Sequence, residues 1–161
     1  MKKQVALSPV RINRLRAQGY ERLTDEEISA LAFGNRLPYQ MCTALLVVGV
    51  STANIPILFM VFSLAFLGLS LFYHPFDYFY NYLLAPMMKK PKLPKRSMQL
   101  KFSCLLVVFC LAVTIFLFSI DLNFAAYLSG IVVIAAAFTA SVTDYCISSV
   151  IYNAIFMSKK F

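Results

Sequence analysis

Two long uncharged apolar runs decide what this chain can fold into. Residues 37–73 carry no charged side chain, and residues 102–143 carry only Asp121. Apolar runs of about 18 residues or more read as membrane-spanning helices. A soluble core helix of that length needs a polar face, and these runs have none. Composition agrees: 60% of residues are hydrophobic and 14% charged, against roughly 45–50% and 25% in soluble domains.

Short polar turns split each run. Ser51-Thr52-Ala53-Asn54 ahead of Pro56, and Asp121 with Asn123, are tight-turn signals. The expected spans are about 37–52, 55–73, 102–120 and 124–143. The expected fold is an all-α membrane protein: four transmembrane helices in two hairpins, with short amphipathic interfacial helices. An N-terminal segment (1–36) precedes the membrane domain (37–157). A loop (74–101) divides the hairpins, and a basic tail (158–161) ends the chain.

In the N-terminal segment, Ser8, Pro9 and Gly19 predict a helix over 8–19. Val10, Ile12, Leu15 and Ala17 alternate there with Arg11, Arg14 and Arg16, which suits an anionic leaflet. Thr24 and Glu27 have capping-box spacing; Ile28, Leu31 and Ala32 form an apolar stripe, and Gly34 predicts the helix end. The start, MKKQVAL, reaches Arg11 before any apolar core forms, so insertion is expected from the first span rather than from a signal peptide. No lipidation motif is seen.

The dividing loop opens with His74-Pro75, which predicts the end of the second span. Phe76, Tyr78, Phe79, Tyr80 and Tyr82 form an aromatic band suited to a membrane interface. Pro86, Pro91 and Pro94 predict no regular helix beyond Ala85. Lys89, Lys90, Lys92, Lys95, Arg96 and Lys101 are candidate contacts to anionic lipid headgroups. The net charge is +8, yet the two tight turns hold no Lys or Arg. Both termini and the loop are therefore expected in the cytoplasm. That placement explains the charge without nucleic acid.

The fourth span is rich in small residues. Ala136 with Ala140, and Ala137 with Ser141, have the spacing that lets helices approach closely. This predicts a helix at the packing centre, and association with further copies or a membrane partner. After Asp144, Ile147, Val150, Ile151, Ala154 and Ile155 share one helical face, with Ser148, Ser149 and Asn153 off it.

Few residues carry chemistry. Cys42, Cys104, Cys110 and Cys146 show no CxxC or metal-site spacing. Cys42, Cys104 and Cys146 fall near the cytoplasmic ends of three spans, and Cys110 lies deeper. They read either as a thiol site or as small buried hydrophobes. His74, the only histidine, has Asp77 three residues on, a local pair suited to proton handling. Asp144 ends the fourth span and is a functional candidate if buried, with Arg36 or Lys101 as its partner. Gln40 and Asn54 are lesser polar candidates. No metal site, cofactor site, or protease, kinase or dinucleotide motif is found. Three functions fit: an accessory membrane subunit, foremost; an oligomeric small-solute transporter lined by Gln40, Asn54 and Asp144; or a thiol relay through Cys42, Cys104 and Cys146.

The xPFDxxYN element at 74–81, the Pro- and Lys-rich loop, and the end running from Thr143 through Tyr145-Cys146 to Tyr152-Asn153 together resemble the bacterial family called domain of unknown function 4395, over roughly 36–156. The resemblance implies a bacterial inner-membrane location and no established activity. It also implies a cysteine before the PFD triplet and another near Cys146. His74 and Ser149 stand at those positions here, which departs from a redox pair.

Overall fold

The computed structural model describes residues 7–157; the Lys2-Lys3 pair and the tail 158–161 lie outside them. Every regular element among the described residues is helical. α1 (Pro9–Leu15) continues into a π turn, Arg16–Tyr20. α2 (Asp25–Ser51) and α3 (Ile55–Ser70) form one hairpin, and α6 (Met98–Ser119) and α7 (Asn123–Thr143) the other. Between the hairpins lie α4 (Pro75–Phe79), a π turn (Tyr80–Leu84) and α5 (Ala85–Met88). α8 (Ile147–Tyr152) ends in a third π turn, Asn153–Met157.

The four long helices pack as a ring in which α2 meets α3 and α7, and α6 meets α3 and α7. Leu46, Val50, Leu58, Val61, Leu111, Phe118, Ala126 and Val133 fill its centre. Thr114 Oγ1 and Ser129 Oγ share a 2.8 Å hydrogen bond between α6 and α7. α7 is thus one wall of the ring, not its hub. Its Ala126, Gly130, Ala140 and Ser141 are buried inside the chain.

α6 and α7 are long and apolar enough to cross a membrane. α3 joined to the α4–α5 arm across a 77° bend makes a third candidate. α3 alone has 16 residues, about 24 Å at helical rise against a ~30 Å hydrocarbon core. In α2, Asn35, Arg36, Tyr39 and Gln40 break the apolar run.

Helix ends depart from expectation in three places. The capping box at Thr24 and Glu27 forms, but α2 runs straight through Gly34 and Pro38 instead of stopping. Gly34 is there for contact: a Cβ would sit 2.6 Å from the Tyr80 ring. α3 ends at Ser70, three residues early. The arm stays helical through Pro86 to Met88, because Pro86 falls in the first turn of α5, where no N–H is needed. In α8 and the turn after it, Ile147, Val150, Ile151 and Ile155 are exposed, while Ser149 is wholly buried. The apolar face thus points away from the protein and the polar one toward it.

Candidate functional site

The buried polar side chains of the described residues concentrate at one end of the bundle. There the N-terminus of α2, the C-terminus of α3, the N-terminus of α6 and the C-terminus of α7 meet α1, α8 and the interhelical arm. Two buried carboxylates organise this end.

Asp144 is the C-cap of α7, in the left-handed region at φ 57°, and its side chain is wholly buried. Arg36 donates to it twice, from Nε at 2.6 Å and Nη2 at 2.7 Å. Arg11 donates from Nε at 2.7 Å, and through Nη2 to the Val142 carbonyl at 2.9 Å. Arg14 donates to the Thr143 carbonyl at 2.9 Å. Cations thus satisfy the free carbonyls at the negative end of α7. Gln18 donates to the Asp144 carbonyl, Asn35 to Gln18, and the Tyr20 hydroxyl to Asn35. Arg36 was an expected partner. Lys101 is not one: its ammonium lies over the Phe72 ring. Arg11 and Arg14, read from the sequence as leaflet contacts, also hold α1 to α7. The sequence hides this contact, because more than a hundred residues separate the partners.

Asp77 sits at the third position of α4 and accepts from the His74 backbone N–H at 2.9 Å, closing a capping box. It also accepts from Arg96 Nε at 2.7 Å, in a pair with side chains 7% and 6% exposed. Burial opposes the charge on Arg96, but Asp77 and Cys104 outweigh it and raise its pKa, so the guanidinium stays charged. Arg96 therefore points inward and is not a headgroup contact. Among the loop lysines, Lys90, Lys92 and Lys95 lie over Phe33, Tyr82 and Phe72. Asn81 clamps the loop by exchanging two bonds with the Leu93 backbone. The PFDxxYN residues are thus largely structural: they fold residues 72–97 onto the bundle.

A small cavity between the helices at this end, about 60 Å³, is lined by apolar side chains of all four long helices and by Cys42, His74, Arg96, Ser103 and Cys104. Arg96 Nη1 donates to Cys104 Sγ at 3.3 Å. Cys146 adjoins the cavity wall, sharing a 3.0 Å bond with Ser103 and accepting from the Tyr39 hydroxyl at 3.7 Å. His74 Nδ1 accepts from the Phe76 N–H at 3.3 Å, which assigns the proton to Nε2. Burial, reinforced by Arg96, drives its pKa down to about 3. The imidazole is therefore neutral, and its Nδ1 is already occupied. His74 and Asp77 touch the same structure but do not form a proton-handling pair, since Asp77 binds the His74 backbone.

The other candidates lie elsewhere. Cys110 packs against the apolar core. Gln40 is exposed. Asn54 caps α3 at the opposite end of the bundle. With both Asp144 oxygens occupied, the three residues expected to line a solute path do not converge. Gly68 was missed: a Cβ there would lie 2.4 Å from His74 Cδ2 and 3.1 Å from Cys104 Sγ. Ser103 and Tyr39 were missed too, since a lone hydroxyl in an apolar run gives no sign of which side it faces.

Fold and site define a class of helical protein with membrane-length apolar helices and a thiol-lined cavity at its polar end. The family model described as Domain of unknown function (DUF4395) matches residues 34–157, and the chain belongs to that family. No curated protein and no solved structure matches it.

Proposed function

We propose that this is a four-span inner-membrane protein that performs thiol chemistry at Cys104. The excess of Lys and Arg on the segments at the polar end supports a cytoplasmic location for that end and for both termini. Exposed Val47, Val48, Phe59, Met60, Phe66 and Leu67 give α2 and α3 the apolar surface of lipid-facing helices. Local bilayer thinning accommodates the short α3.

The observation that carries the thiol reading is the Arg96 guanidinium at 3.3 Å from Cys104 Sγ, beside a cavity that Cys42 also lines. Burial favours the neutral thiol, and the Arg96 guanidinium supplies the counter-charge for the thiolate, the nucleophilic form, when the sulfur reacts. The Cys104 thiolate attacks a sulfur–sulfur bond in a small molecule. A new S–S bond forms at Cys104, and the other sulfur leaves as a thiol. The cavity admits only small reactants. The accessory-subunit reading has less support, since Gly130, Ala140 and Ser141 of α7 are buried within the chain.

The test is peptide mapping of native membranes treated with methyl methanethiosulfonate, a small neutral thiolating reagent. The proposal expects the added mass on Cys104 well before Cys110. Modification of Cys110 alone contradicts it.

A further inference from the structure

We propose that a groove between α1 and α8 binds an anionic phospholipid, with its phosphate on Arg14. The proposal rests on the membrane reading above but not on the thiol site. The groove, about 310 Å³, is lined by Val10, Asn13, Arg14, Ala17, Tyr145 and Val150, with Cys146 at its base.

Charge complementarity argues for this occupant. Arg11, Arg14 and Arg36 gather around one carboxylate, Asp144, so this corner keeps a net positive charge of about two. Arg11 and Arg36 are engaged by that carboxylate. Arg14 donates a single bond, from Nη1 to the Thr143 carbonyl. Its Nε and Nη2 have no partner among the described residues. Its guanidinium lies 5.4 Å from the Tyr145 ring centroid, which fixes its plane at the groove. A guanidinium with free donors matches a phosphate geometrically.

The groove walls suit the rest of a lipid. Val10 is 59% exposed, and Val150, Ile151 and Ile147 carry an exposed apolar stripe along α8. An acyl chain laid over that stripe covers the face that α8 turns away from the protein. Tyr145, half-exposed between charge and stripe, stands where headgroup meets chain. The loop lysines are a poorer site: Lys90, Lys92 and Lys95 already lie over aromatic rings.

The test is native mass spectrometry of the purified full chain, titrated with phosphatidylglycerol or phosphatidylcholine. Wild type is expected to retain phosphatidylglycerol preferentially. Arg14→Gln should lower that affinity about fivefold, the effect of one basic contact at an anionic surface. Asn13→Glu, an exposed change that adds a like charge without touching the Asp144 clamp, should lower it comparably. Lys89→Gln, Lys90→Gln and Lys92→Gln together should leave it unchanged. Equal binding of the two lipids, or unaltered phosphatidylglycerol affinity in both groove variants, overturns the proposal. Alkaline carbonate extraction reads the membrane assignment separately. Retention with no lipid preference overturns the groove alone, whereas release overturns both.

Discussion

At the residue scale, the site depends on small spaces and fixed charge. Gly68→Ala forces a methyl group into His74 and Cys104. It is expected to cost roughly 1–3 kcal/mol, as overpacking does, read as a lower thermal midpoint in detergent. His74 gives a pH dependence with a defined sign. Its pKa falls from 6.5 to about 3 on folding, so between those values the unfolded chain binds a proton that the folded chain refuses. Stability is therefore full above about pH 6.5 and declines as pH drops toward 3. Thermal midpoints between pH 7 and 4 should show this slope in wild type and a shallower one in His74→Gln. The sequence pointed to His74, Asp77 and Asp144 as special, because each is a polar residue at the edge of an apolar run. It did not show that Asp77 serves the His74 backbone, or that Arg96 turns inward, since a Lys- and Arg-rich loop reads uniformly as solvated.

At the element scale, the Asp144 clamp joins α1 and α2 to the end of α7. Asp144→Asn leaves Arg11 and Arg36 without their counter-ion. The expected cost is about 2–3 kcal/mol, below the roughly 3–5 of a fully buried broken pair because both arginines reach solvent. Released α1 should be cleaved faster by trypsin near Arg22, visible as an early cut in limited proteolysis. Spans and turns were legible within a few residues for α6 and α7, where hydropathy alone decides. They were less so for α2, where Gly34 looks like a stop. Gly34 is instead required by the Tyr80 ring, and tertiary contact carries the helix through. The apolar stripe of α8 was legible but the side it faces was not, because the stripe does not say whether protein or lipid covers it.

At the scale of the whole molecule, both buried ion pairs and the thiol-lined cavity collect at one end of a ring of four helices, and the other end is two short turns with Asp121 as their one charged residue. If the chain crosses the membrane four times with the polar end in the cytoplasm, a cysteine placed at Ser51 or Leu122 should react with a membrane-impermeant maleimide from outside, and one at Lys89 only after the membrane is opened.

The central claim is that Arg96 supplies the counter-charge that lets buried Cys104 react as a thiolate. The direct measurement is the methyl methanethiosulfonate reaction rate of a variant retaining Cys104 alone, with and without Asp77→Asn and Arg96→Gln together. That pair removes both buried charges and leaves neither stranded. The account predicts faster modification when Asp77 and Arg96 are intact, and a rate that falls by about tenfold in the paired variant, as loss of one charge-assisted hydrogen bond to the thiolate implies. An equal rate in both backgrounds would contradict it, and would leave Cys104 as a small buried hydrophobe.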